Sequence, residues 1–185
     1  MAGLKILGIP GSLRKESFNL KALKAAQQLV PEDAEIEIFT LHGIPPFSED
    51  DEKNPPERVT EFKRKIREAD GVLIVTPEYN YSIPGVLKNA IDWASRPYGD
   101  SAWAGKPVAI MGASPGMLGT ARAQHHLTQT FVFLNMFAVI QPEVLISAAH
   151  QKFDANGNLT DETVKKLISQ LLKNLVTWAK KLKSN

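Results

Sequence analysis

Three short runs constrain this chain more than any other feature. Ile6-Leu7-Gly8-Ile9, Val72-Leu73-Ile74-Val75 and Val108-Ala109-Ile110-Met111 are almost wholly apolar. Each is too short for a buried helix and lacks polar alternation, the mark of a strand covered on both faces. The segments between them have helical spacing. Leu20, Leu23, Ala26 and Val30 recur before Pro31; Val59, Phe62, Ile66 and Ala69 form a second stripe; Val86, Leu87, Ala90, Ile91 and Ala94 form a third behind Pro84. Glu35-Ile36-Glu37-Ile38-Phe39 alternates, as an edge strand with one wet side does. A fifth strand is read through Val139-Ile140 and Val144-Leu145-Ile146. Further helices are expected from about Thr120 to Leu134 and from near Thr160. The last should carry Val164, Leu167, Ile168, Leu171, Leu175, Trp178 and Leu182 on one face, with Asp161 and Glu162 in its first turn. Strands alternating with helices imply an α/β fold, a doubly wound five-stranded parallel sheet with helices on both faces.

With 185 residues and no internal repeat, a single domain over 1–185 is expected. A chain of this size buries roughly 70% of its unfolded surface and needs no staples. Cysteine is absent, which excludes disulfides, thiolate metal sites and a cysteine nucleophile. With no charged-then-apolar leader and no 18-residue apolar span, the expectation is a soluble, cytoplasmic protein without a membrane partner. Net charge is +2, from 22 basic and 20 acidic residues, too balanced to point to nucleic acid. Lys180, Lys181 and Lys183 read as a solvated helix end favoured by the macrodipole. Gly43 to Pro56, rich in proline and acid, reads as a mobile surface loop.

In a doubly wound sheet, ligands bind outside the carboxyl ends of the strands. Three polar loops fall at that edge. The first, Gly11-Ser12-Leu13-Arg14-Lys15-Glu16-Ser17-Phe18-Asn19, joins a strand to a helix start, where N–H groups and the positive helix end favour phosphate. Ser12, Ser17 and Asn19 can donate hydrogen bonds, and Arg14 adds a charged fork. The loop matches neither G-x-x-x-x-G-K-[ST] nor G-x-G-x-x-G, so it fits a single terminal monophosphate, as in FMN. An ordinary capped strand–turn–helix junction is the competing reading. The second loop, Thr76 to Gly85, is stiffened by Pro77 and Pro84. It suits a wall for a flat heteroaromatic ligand, with Tyr79 or Tyr81 shaping the pocket and Asn80 holding the turn. It also suits a purely structural turn.

The third loop, Gly112-Ala113-Ser114-Pro115-Gly116, matches the G-x-S-x-G nucleophile elbow of hydrolases. Two objections weigh against that chemistry. Pro115 follows the serine and has no N–H for an oxyanion hole. Of His125, His126 and His150, only His150 is separated from Ser114 by an acid, Glu143. A glycine-rich turn bringing backbone close to a ring edge is the better reading. His125 and His126, adjacent on a helix, diverge by about 100° and cannot chelate one ion. Asp154-Ala155-Asn156-Gly157-Asn158 lacks the glycine position and the closing Glu of a calcium loop and reads as a turn.

The first loop, together with Pro77-Glu78-Tyr79-Asn80-Tyr81-Ser82-Ile83-Pro84-Gly85-Val86-Leu87-Lys88-Asn89-Ala90-Ile91-Asp92-Trp93, resembles the NADPH-dependent FMN reductases. Within them it is most similar to the bacterial class I chromate reductase, quinone reductase and azoreductase group. The resemblance implies a flavodoxin-like fold with strand order 2-1-3-4-5 and non-covalent FMN. It implies a phosphate clamp of Ser12, Arg14, Ser17 and Asn19 with Phe18 beside it. Pro77, Glu78, Tyr79 and Asn80 would form the isoalloxazine loop, working through backbone contacts, with Ile83 packed on the ring. Ser114 and Gly116 would meet the pyrimidine edge. The activity implied is ping-pong electron transfer from NADPH or NADH through FMN to small-molecule acceptors: quinones, azo compounds, chromate or other metal oxyanions. A homodimer or homotetramer is implied, with Tyr81, Arg122 and the loop after Leu41 as contact candidates. Two functions compete: a flavodoxin-type electron carrier, which a charge of +2 disfavours, and the Ser114 hydrolase.

Overall fold

The computed structural model describes residues 3–183. Its five strands are β1 (Leu4–Pro10), β2 (Ala34–Ile38), β3 (Gly71–Val75), β4 (Pro107–Ala113) and β5 (Phe137–Ile146). They lie in one parallel sheet of order β2-β1-β3-β4-β5, as the resemblance implied. Five helices alternate with them: α1 (Phe18–Leu29), α2 (Glu57–Glu68), α3 (Gly85–Ala94), α4 (Ala121–Phe133) and α5 (Glu162–Lys183).

The apolar runs split by the period of two. Ile6, Leu73, Val75, Ala109 and Met111 face α1 and α5, where Leu23, Ala26, Leu171 and Leu175 cover them. Leu7, Ile9, Val72, Ile74 and Val108 face the other way, against Phe62 and Ile66 of α2, Leu87 and Ile91 of α3, and Leu127 and Phe131 of α4. At Gly8 the layers approach so closely that a Cβ would stand 2.7 Å from Leu23 Cδ1 and 2.9 Å from Ile36 Cγ2. Trp93 and Trp103 are fully buried, and each indole N–H finds a carbonyl: Pro45 O at 2.8 Å and Ile91 O at 3.0 Å.

The fifth strand runs through Val139-Ile140 and Val144-Leu145-Ile146 as read, with a bulge between them. Ala109 pairs with Val139 but Met111 pairs with Val144, so two steps on β4 match five on β5. The departures from the sequence reading lie elsewhere. The buried stripe of α5 is Ile168, Leu171, Leu172, Leu175, Val176 and Ala179; Leu167 and Trp178 are exposed, and Trp178 stacks on Phe137. The C-terminal lysines are not merely solvated: Lys180 pairs with Asp33 and Lys183 with Asp70.

The proline-rich connection is also anchored rather than loose. Phe47 N–H donates to Asn89 Oδ1 at 2.7 Å, Asn89 Nδ2 donates to Pro45 O at 2.8 Å, and Arg96 pairs with both Glu49 and Glu52. Its own composition offers no core-forming stripe, so these ties to α3 and to Arg96 just beyond it supply the order. Among the described residues, no helix is long and apolar enough to cross a membrane.

Asp70 accepts from Lys5 N–H at 2.9 Å and from Lys183 Nζ at 2.8 Å. Burial pushes its carboxyl up, but Lys183 and the Lys5 N–H outweigh that and hold it below the usual carboxylate range. A depressed folded pKa stabilises fully above the unfolded value and is lost as pH falls through the folded one. Asp70→Asn should therefore cost about 1 kcal/mol at pH 7 in urea unfolding, with the gap to wild type closing below about pH 4. A gap that persists at low pH would put the loss in packing instead.

Candidate functional site

Because all strands run parallel, the loops after β1, β3 and β4 leave the same edge of the sheet and enclose an open cleft of about 440 Å³. Ser12, Arg14, Ser17, Phe18 and Asn19 line it from the first loop, Pro77, Glu78 and Tyr79 from the second, and Ala113, Ser114 and Pro115 from the third.

The first loop ends in a helix cap. Ser17 is 2% exposed, and its Oγ accepts from Asn19 N–H at 3.2 Å and Leu20 N–H at 3.4 Å. Ser12 Oγ accepts from Arg14 N–H at 3.3 Å. Both hydroxyl oxygens thus hold the loop in shape, while their protons remain for a ligand. The first turn of α1 contains no acidic residue, so its positive end faces the cleft uncompensated. Glu16, next to the cap, is turned to Lys21 at 3.0 Å, and that hydrogen bond lowers its pKa. Arg14 is exposed, with its guanidinium carbon 5.7 Å from the centroid of the Phe18 ring. Phe18 in turn stacks on Phe153 at 5.9 Å.

Asn19 has a different occupation from the one expected. Its side chain is buried and doubly paired: Nδ2 donates to Ala113 O at 2.9 Å, and Oδ1 accepts from Ala113 N–H at 2.8 Å. It clasps the start of α1 to the end of β4, so the anion-facing groups beside it are Ser12, Arg14 and Ser17. Ala113 lies 94 residues away, and no local pattern could have shown the pairing.

The second loop is a two-residue hairpin. Tyr79 N–H donates to Ser82 O at 3.1 Å and Ser82 N–H to Tyr79 O at 3.0 Å. Between them, Asn80 and Tyr81 have φ of 50° and 65°. Asparagine tolerates that region, whereas a tyrosine there costs roughly 1–2 kcal/mol. Glu78, its side chain 12% exposed, points to α4: Oε2 accepts from Arg122 N–H at 3.0 Å and from Ala123 N–H at 3.2 Å. Thr120, which reads as the cap of that helix, makes no cap bond, because its hydroxyl accepts from Gln124 Nε2 at 3.1 Å. Gly112 leaves room for this: a Cβ there would stand 1.9 Å from Thr120 Oγ1 and 2.4 Å from Thr76 O. Gly112 of the third loop serves this packing.

Three expected residues lie off the cleft lining. Asn80 is exposed at the hairpin tip, and Ile83 packs against the Leu7–Phe131 core. Gly116 turns away, its N–H on Ser114 Oγ at 3.1 Å and its O accepting from Ala148 N–H at 3.1 Å. The hydrolase reading fails on geometry as well. His125 faces Glu143 at 3.6 Å, His126 faces Ser82 Oγ at 2.9 Å and His150 faces Gln151 at 3.3 Å, so none is placed as a base for Ser114. Among the described residues there is no cluster fit to hold a metal ion.

A profile of the NADPH-dependent FMN reductase family matches residues 4–151. The chain belongs to that family. It is 51% identical over 181 residues to an NAD(P)H-dependent FMN reductase of Pseudomonas aeruginosa, covering 97% of each chain. It is 45% identical over 177 residues to a 2-hydroxy-1,4-benzoquinone reductase of a Burkholderia species, covering 96% of this chain and 97% of the other. Among solved structures, the flavoenzyme NAD(P)H:(acceptor) oxidoreductase of Paracoccus denitrificans superposes with a TM-score of 0.89 at 38% identity, over 96% of this chain and 98% of its own. This family member is an oxidoreductase with FMN as cofactor and a reduced nicotinamide as co-substrate.

The cleft fits that cofactor. Hydroxyls, a guanidinium and a helix N-terminus free of acidic residues at one end suit a phosphate monoester, and the Pro77, Tyr79 and Pro115 walls suit a planar ring.

Asn19→Ala should leave the buried N–H and C=O of Ala113 unpaired and cost roughly 2–4 kcal/mol in chemical unfolding. A loss below about 0.5 kcal/mol, within the range of a neutral surface change, would show that the clasp is dispensable.

Proposed function

We propose that the cleft at the carboxyl edge of the sheet holds FMN and that the enzyme passes electrons from NADPH or NADH to quinones by a ping-pong mechanism. Azo compounds, chromate and other metal oxyanions belong to the same acceptor range. The observation that carries this reading is the convergence of Ser12, Arg14, Ser17 and the uncompensated α1 terminus on one cleft whose opposite walls are proline and tyrosine. When bound, FMN supplies the hydride acceptor and the electron donor.

The chain's own residues bind and orient. Ser12 and Ser17 donate to phosphate oxygens while their lone pairs keep the loop folded. Arg14 supplies the positive charge, its guanidinium standing over Phe18. Pro77 and Tyr79 form the wall beside the ring, and Ser114 offers a hydroxyl at its far side. No side chain need act as general acid in this scheme, since the reacting atoms belong to the cofactor.

The whole chain, 1–185, acts as one FMN-binding domain in the cytoplasm. It assembles as a homodimer or homotetramer through Tyr81, Arg122 and the loop after Leu41. The exposed Tyr81 ring and the Arg122 guanidinium stacked on it at 3.7 Å support that choice.

The decisive experiment is a visible absorption spectrum of the FMN-loaded protein before and after anaerobic NADPH. A flavin band that bleaches and returns on adding a quinone is expected. A band untouched by NADPH would indicate a carrier, and no flavin uptake would end the reading. Arg14→Ala should weaken FMN binding by about 1.5–3 kcal/mol in a fluorescence titration; unchanged affinity removes Arg14 from the clamp. A Ser114 hydrolase would instead keep its activity without flavin and lose it in Ser114→Ala.

A further inference from the structure

The hairpin 79–82 raises a physical question, because a tyrosine in the left-handed region does not stay there without support. The support comes from α4 through three ties. Glu78 accepts the N–H groups of Arg122 and Ala123, and its Oε1 lies 3.4 Å from Arg122 Nη1. Arg122 stacks on Tyr81 at 3.7 Å. Ser82 Oγ lies 2.9 Å from His126 Nδ1. The second and third ties each depend on an exposed side chain, Tyr81 and His126, and hold weakly. Glu78, its side chain only 12% exposed, is better sheltered, and two of its three partners are backbone groups fixed by the helix.

We infer that Glu78 is a positioning residue for the cofactor: its carboxylate caps α4 from outside the helix and thereby latches the strained hairpin at the cleft wall. Several observations point the same way. α4 has no cap of its own, since the Thr120 hydroxyl is turned to Gln124 and Thr120 itself sits at φ 75°. The negative charge of Glu78 stands at the positive end of a helix of 13 residues, where it is most favourable. Glu78 also immediately precedes Tyr79, which lines the cleft, so a displaced carboxylate moves the wall with it. The Glu78 side chain thus holds two pieces of protein together. Its effect on the ligand passes through the backbone of Tyr79 to Ser82.

The inference rests on the reading that the cleft binds FMN, and its test separates the two. FMN-free wild type, Glu78→Leu, Glu78→Gln and Arg14→Ala are compared by amide hydrogen exchange and then titrated with FMN by flavin fluorescence. In Glu78→Leu the amides of Ser82, Arg122 and Ala123 should exchange faster, by roughly 3- to 30-fold, while those of Leu73 and Ile74 in β3 stay at the wild-type rate. The Kd for FMN should rise by a similar factor, less than for Arg14→Ala. Glu78→Gln keeps an acceptor without the charge and should fall between wild type and Glu78→Leu in both readings. It carries the test if Glu78→Leu does not fold. Arg14→Ala should weaken FMN while leaving exchange at Ser82, Arg122 and Ala123 unchanged.

Unaltered exchange at those amides in both Glu78 variants would overturn the latch. So would loosened amides and a lowered melting temperature with the FMN Kd of wild type, since Glu78 would then be structural only. Wild type that takes up no FMN would overturn both readings, a result distinct from a failed latch, in which wild type and variants bind FMN equally.

Discussion

The clasp between Asn19 and Ala113 is the interaction on which the site depends. A parallel sheet brings the ends of β1, β3 and β4 to one edge, but it does not by itself hold the loops at a fixed spacing. Asn19 does so by pairing with both backbone groups of Ala113, in the same way that one strand pairs with another. The first helix is thereby joined to the last residue of β4, and the first loop keeps its distance from the third. Ser17 then fixes the direction of α1, because its hydroxyl caps the turn in which Asn19 lies.

The opposite wall is held by a second long-range bond of the same kind. Glu78 reaches α4 across 44 residues and supplies the cap that Thr120 does not. Thr120 cannot do so because its hydroxyl is packed between Gln124 and the bare α-carbon of Gly112. The two walls are therefore built on one plan: a loop residue gives its polar side chain to a backbone terminus elsewhere, and the groups left over face the ligand. The strained turn at Asn80 and Tyr81 persists because α4 holds it through three ties.

Much of this was legible in the chain. Short uninterrupted apolar runs read as central strands, and alternating them with helical stripes leaves a parallel sheet as the economical arrangement. Ser12, Arg14, Ser17, Tyr79 and Ser114 all reach the cleft as read, because small polar loops at strand ends have nowhere else to go. Less legible was which face of an amphipathic helix is buried. Leu167 and Trp178 of α5 sit at helical spacing yet face outward, because the stripe that α5 buries is rotated toward Leu172, Val176 and Ala179. The proline-rich connection, with no stripe of its own, takes its order from Asn89, Trp93 and Arg96.

What the sequence by itself determined was the class of fold, the edge of the sheet where chemistry occurs and the residue types available there. Those follow from periodicity and from loop composition, which are local properties of the chain. Only the tertiary structure decided which polar side chains face the ligand and which hold the protein together. Asn19 and Glu78 both line the cleft, but each meets a backbone group far away in sequence. A buried N–H or C=O must find a partner, and whether a given side chain is that partner depends on distances that exist only once the chain has folded.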